Sequence, residues 1–87
     1  MTEGEIQKLG FDKEIISPKE SGMDDNFHYY TYKIATGVEF ITPANDEIEN
    51  DNGWYVEFFD SDPKIRFNDS RDLQIVINII EKSKVKR

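Results

Sequence analysis

The sequence contains no cysteine, which excludes disulfide staples and thiolate metal sites and is compatible with a reducing compartment. Histidine occurs once, so chemistry that needs several imidazoles is excluded as well. Glycine (five) and proline (three) are too few for a collagenous or low-complexity chain. Positive charge is also scarce: 11 Lys and Arg face 18 Asp and Glu, a formal net charge of −7. Direct nucleic-acid binding, which neutralises phosphates with cations, is therefore not expected. No long apolar run is present. The most apolar stretch, Leu73 to Ile80, is broken by Gln74 and Asn78 and falls far short of the ~20 residues a bilayer span requires. Met1 to Leu9 carries acids and no apolar run, so a secretory signal is not expected either. These absences predict a soluble, cytoplasmic protein with no membrane contact.

Aromatic rings are what the chain does have. At 87 residues it is long enough for one domain and too short for two. One tryptophan, four tyrosines and six phenylalanines bury roughly 150–250 Å² each when enclosed, enough to offset a charge balance that otherwise suits a disordered chain. The rings concentrate in Gly53-Trp54-Tyr55-Val56-Glu57-Phe58-Phe59-Asp60, between the turn signals Asp51-Asn52-Gly53 and Asp60-Ser61-Asp62-Pro63. On a strand, Trp54, Val56 and Phe58 share one face and Tyr55, Glu57 and Phe59 the other. The first set is wholly apolar and faces the core, so this stretch reads as a central strand.

The remaining elements follow in chain order. Thr2-Glu3-Gly4-Glu5 has capping-box spacing and predicts a short helix carrying Ile6 and Leu9, with Gly10 at its C′ position. Phe11 to Ile16 reads as a strand, Ser17 to Asn26 as a polar loop, and Phe27 to Ile34 as a second strand rich in rings. Ala35-Thr36-Gly37 suits a tight hairpin that returns through Val38 to Thr42 and stops at Pro43. Ala44 to Gly53 reads as a long acidic loop, and Lys64 to Phe67 as a short edge strand. A C-terminal helix is predicted from Asp69 as N-cap and from Leu73, Val76, Ile77 and Ile80 at i, i+3, i+4, i+7 spacing, with Lys82, Lys84 and Lys86 at its negative end. The predicted fold is α+β: one domain, an antiparallel sheet of four to five strands, the C-terminal helix on one face and a short N-terminal helix beside it.

Chemical motifs are weak. His28 sits among rings on a strand and reads as a half-exposed sheet residue. Aligning the acidic loop to a calcium loop puts Ile48 where the leading carboxylate belongs. Glu57 is the sole acid inside the central strand, and the simplest reading pairs it with Arg66 or Lys64 across strands. No phosphate loop or nucleophile elbow is present, and neither a cofactor nor a metal is expected. Two surfaces stand out instead. The sheet face opposite the helix is expected to carry Tyr55 and Phe59, with some of Phe27, Tyr29, Tyr30 and Tyr32 from the second strand. On the C-terminal helix, Ile75 and Ile79 fall off the core-facing stripe; they are expected to touch the short N-terminal helix through Ile6 and Leu9, or otherwise to form a contact patch for a second copy or a partner. Rings and isoleucines of this kind anchor protein partners, so a protein partner is expected and the chain should be a monomer or weak homodimer. A rival reading makes the acids Asp24, Asp25, Asp46, Glu47, Glu49, Asp51, Asp60 and Asp62 a mimic of a nucleic-acid backbone. A further one is a small enzyme or metal module using Glu57 and His28.

The pattern Phe27-x-Tyr29-Tyr30-x-Tyr32, Ile41-Thr42, Asn45-Asp46-Glu47, Gly53-Trp54-Tyr55-Val56-Glu57, Ile65-x-Phe67 and Leu73 resembles small proteins encoded by phages, prophages and other mobile elements, notably in Bacteroidota. The resemblance spans most of the chain from Leu9 onward. It implies an accessory or host-interaction role and carries no catalytic residue onto these positions.

Overall fold

Alternation along three successive strands brings the rings to one side and sets the architecture. The computed structural model describes residues 1–17 and 26–85. Most of the expected Ser17–Asn26 loop, with Asp24 and Asp25, lies outside the described residues, and so does Lys86. The described residues run α1 (Glu3–Lys8), β1 (Asp12–Ile16), β2 (Phe27–Ala35), β3 (Val38–Ile41), β4 (Val56–Phe58), β5 (Arg66–Phe67) and α2 (Ser70–Ser83). The five strands form one antiparallel sheet in sequence order, the α+β arrangement the pattern predicts.

Register fixes the faces. Tyr32 lies opposite Phe40, Phe40 opposite Phe58, and Val56 opposite Phe67, so these side chains share one face. Phe40 is fully enclosed there and its ring meets those of Phe11, Tyr32, Phe58 and Phe67 at centroid distances of 4.6 to 6.3 Å. Both helices cover this face. α2 contributes Leu73 and Ile77 to the core, with Val76 and Ile80 packed at its margin, which is the stripe read from the sequence.

The helix ends are capped as the residue types demand. In α1 the Thr2 hydroxyl accepts from the Glu5 amide while the Glu5 carboxylate accepts from the Thr2 amide, and Gly10 follows at φ 93°. The Asp69 carboxylate accepts from the Arg71 amide at the start of α2. A six-residue helix is too short to persist alone. Tertiary anchors hold α1: the Met1 ammonium donates to the carbonyls of Asn52, Trp54 and Asn68, and Ser70 Oγ donates to Glu5.

Two expectations need correction. β4 lies inside the sheet between β3 and β5, as a central strand should, but its paired part is short. Trp54 is buried on the core side as expected, yet it precedes the paired residues of β4. Extending the β3–β4 register sets Pro43 opposite Tyr55, and proline has no N–H to continue the ladder. The acidic stretch 44–53 also holds two single-turn 3₁₀ helices, Asn45–Glu47 and Asp51–Gly53, and packs Ile48 against the core.

Two phenylalanines separate packing from exposure. Phe40→Leu should lower stability by about 1–2 kcal/mol, because a core cavity opens among four rings. Phe59→Ala, at a ring that is 59% exposed, should stay within about 0.5 kcal/mol. Urea midpoints of the two variants check the contrast.

Candidate functional site

Two regions gather the residues singled out in the sequence, and β2 separates them by parity. From Phe27 to Ile34 its even-numbered side chains point under the helices and its odd-numbered ones point away; after the register shift beyond Lys33, Ala35 returns to the core side.

Beneath α1, Glu3 Oε2 lies 2.6 Å from both the Tyr30 hydroxyl, which donates to it, and His28 Nε2. Gln7 Nε2 donates to the same hydroxyl at 3.0 Å. The His28 ring stacks on Trp54 at 6.1 Å, and its backbone amide donates to Asn45 Oδ1. Burial raises the Glu3 carboxyl, but the hydrogen bonds from Tyr30 and His28, with the Lys13 charge nearby, outweigh it and hold the group below the ordinary carboxylate range. Burial and the neighbouring Glu3 push the Tyr30 hydroxyl up to about 12. Each polar group here is already matched to a protein partner. Chemically, the arrangement ties the first turn of α1 to the sheet.

The opposite face is different. The core residues of both α-helices lie on the other side, and the 3₁₀ turn Asn45–Glu47 borders this face through Glu47. Its rows run Ile16–Phe27, Glu14–Tyr29 and Asp12–Thr31–Ile41–Glu57–Arg66 across the strands. Phe27, Tyr29, Ile41 and Tyr55 are half-buried there. Arg66 places its guanidinium 3.9 Å from the centre of the Tyr55 ring and donates to Glu57 at 3.0 Å, the cross-strand pair expected for that acid. Glu57 lines two shallow hollows beside this pair, of about 350 and 210 Å³, with Ile41 and Lys64 in both.

The expected surface residues therefore divide. Tyr55 lies on the uncovered face. Phe59 is exposed, but in the turn after β4 rather than on a strand, where its amide donates to the Glu39 carbonyl. Tyr30 and Tyr32 do not belong to the surface. Tyr30 is 1% exposed, and Tyr32 packs on Phe11 and Phe40, because both have the parity of Ile34 on the helix-covered side. The other two candidates, Phe27 and Tyr29, do lie on the open face together with Thr31, and alternation separates them from Tyr30 and Tyr32 once one core residue of β2 is known. Ile75 and Ile79 are exposed on α2, at 57% and 49%, so the expected contact with α1 does not cover them: Ile6 is buried in the core instead.

The low Glu3 value has a pH consequence. A folded value below the unfolded one contributes stability that is complete above the ordinary carboxylate range and is lost as pH falls through the folded value. Glu3→Ala should cost about 1–3 kcal/mol near neutral pH, since the Tyr30 hydroxyl loses its acceptor. The stability gap between the variant and the wild type should narrow in acid, as pH falls through the lowered value and the wild-type carboxylate is protonated. Urea denaturation at neutral and at acid pH measures the gap, and an unchanged gap would show that the carboxylate charge contributes nothing.

Comparison with protein-family models, with curated proteins and with solved structures finds no match to this chain.

Proposed function

We propose that this chain is a non-enzymatic interaction module that binds a protein partner through the uncovered face of its sheet. The observation that carries the reading is the set of half-exposed apolar side chains, Phe27, Tyr29, Ile41 and Tyr55, on the sheet face opposite the core that α1 and α2 cover. Aromatic side chains anchored on a rigid sheet lose little conformational entropy on binding, which makes them efficient contact residues. The acidic balance of the chain and the pairing of Glu57 with Arg66 favour a partner that brings apolar groups edged by cations. An accessory or host-interaction role of the kind implied by the resemblance to mobile-element proteins suits such a module.

The acidic-mimic reading has less support. Asp46, Glu47, Glu49 and Asp51 belong to one connection and Asp60 and Asp62 to another, while Lys33, Lys64 and Arg66 interrupt the acids of the sheet. The polar groups that an enzyme would use are engaged with each other: His28 with Glu3, and Glu57 with Arg66.

Paired substitutions separate the first two readings. Tyr29→Thr with Ile41→Thr keeps strand propensity while removing apolar contact area. Glu47→Gln with Glu49→Gln removes charge from the acidic connection. In affinity capture from the native host, the sheet variant should lose the partner and the loop variant should keep it. Capture by the wild type should also persist at about 0.5 M salt, where long-range charge attraction is screened. Loss of the partner in the loop variant alone, together with release by salt, would favour mimicry and reject the sheet-face reading. Circular dichroism confirms that both variants remain folded.

A further inference from the structure

Asn52 is the one asparagine followed by glycine, and the fold gives that glycine no conformational task. Gly10 and Gly37 take positive φ, but Gly53 does not. A Cβ built on Gly53 would come no nearer than 3.7 Å to Ile48 and 3.9 Å to Asn50, ordinary contact distances. Turn geometry and packing therefore place no demand for glycine here. What glycine does alter is reactivity. Without a Cβ, its backbone nitrogen is open to the side-chain carbonyl of the preceding asparagine, and Asn52 is itself exposed.

We propose that Asn52 is a spontaneous modification site, at which deamidation to isoaspartate is gated by the docking of α1. The chemistry needs only water and hydroxide. Hydroxide takes the Gly53 amide proton, and the nitrogen attacks Asn52 Cγ. The new N–Cγ bond replaces the Cγ–Nδ2 bond, and ammonia leaves with a proton supplied by water, which regenerates hydroxide. A further water molecule then opens the cyclic imide. Breaking the bond from nitrogen to Cγ gives aspartate, and breaking the bond from nitrogen to the Asn52 main-chain carbonyl carbon gives isoaspartate.

The folded chain opposes the first step in two ways. Asn52 is the middle residue of the 3₁₀ turn Asp51–Gly53, and ring closure requires a rotation of roughly 90° about its ψ away from that geometry. The Gly53 N–H is also engaged, donating to the Asn50 carbonyl at 2.9 Å. Contacts from α1 and its N-terminal flank hold this turn. The Met1 ammonium donates to the Asn52 and Trp54 carbonyls, and the Glu3 amide donates to Asp51 Oδ1. Undocking α1 removes all three contacts, so attack proceeds from a locally opened state. Isoaspartate then makes the opening permanent. Its backbone runs through Cγ and is one methylene longer, and the carbonyl that received Met1 becomes a free carboxylate beside that path. The turn no longer closes, and α1 loses its seat. None of this depends on the partner-binding reading of the sheet.

Peptide mapping by mass spectrometry, on the full chain incubated in mildly alkaline buffer with and without urea, tests the site. In urea Asn52 should deamidate faster than the other five asparagines. In the native state it should react at least about tenfold more slowly than in urea. Gly53→Ala should keep the native circular dichroism and slow the reaction severalfold in urea. Thr2→Ala, which removes the α1 N-cap, should speed the native-state reaction about threefold to tenfold. Phe40→Leu, which weakens the core without touching the turn, should leave that rate within about twofold. An Asn52 no faster than the other asparagines, or a Gly53→Ala rate equal to the wild type, would overturn the site. Equal rates with and without urea would overturn the gating. Equal acceleration by Thr2→Ala and Phe40→Leu would assign the opening to global unfolding and reject the role of α1. Purified isoaspartyl protein should have a lower urea midpoint than Asn52→Asp protein, whose backbone is unaltered, and equal midpoints would reject the effect on docking.

Discussion

Enclosure of the Phe40 ring is the constraint from which most of the structure follows. It sits on β3, the middle strand, and receives rings from β2, from β4 and β5, and from the segment ahead of β1. Side chains in register across an antiparallel sheet share a face, so gathering these rings on one side commits that side to the core. Both helices must then cover it, and the other side receives Tyr29, Thr31, Ile41, Glu57 and Arg66 whatever their individual preferences. A chain this small buries a modest share of its surface, and losing the ring cluster would remove a large part of its stability.

Polar anchoring complements this packing. α1 is too short to stand by propensity, and its attachment is unusually polar for so small an element. The Met1 ammonium meets three backbone carbonyls from the connections flanking β4 and β5, Glu5 reaches Ser70 at the start of α2, and Glu3 joins Tyr30 and His28 on β2. Those contacts explain why the one histidine has a matched carboxylate and a stacked indole. A pairing that suggests acid–base chemistry in isolation becomes, with its partners counted, a means of holding a helix on a sheet. Among the described residues, no buried side-chain polar atom is left without a partner, which fits a network whose role is specificity of packing.

The two surfaces left over are separated by the thickness of the domain. One is the outer face of the sheet and the other the outer face of α2, with the core between them. They differ in chemistry. The sheet face mixes rings with charges already paired across strands, while the helix stripe is two isoleucines bounded by one acid and one base.

Much of this was readable from local pattern. Capping residues placed both helices, since Thr2, Glu5 and Asp69 satisfy backbone groups within a few residues of themselves. Period-3.6 spacing identified Leu73 and Ile77 as buried, and period-2 alternation put Trp54, Val56 and Phe58 on the core side. Alternation cannot say which of two ring-bearing faces is the inner one. On β2 the tyrosines occupy both parities, and only pairing with β3, where Phe40 stands opposite Tyr32, placed Tyr30 and Tyr32 inside and Tyr29 outside. The short paired length of β4 likewise depended on Pro43 falling opposite Tyr55, a register relation between residues distant in the chain. Local sequence thus determined where elements begin, end and turn an apolar side. The tertiary structure decided which rings are buried and which reach solvent, because that choice depends on strand register and on contacts between residues far apart in sequence.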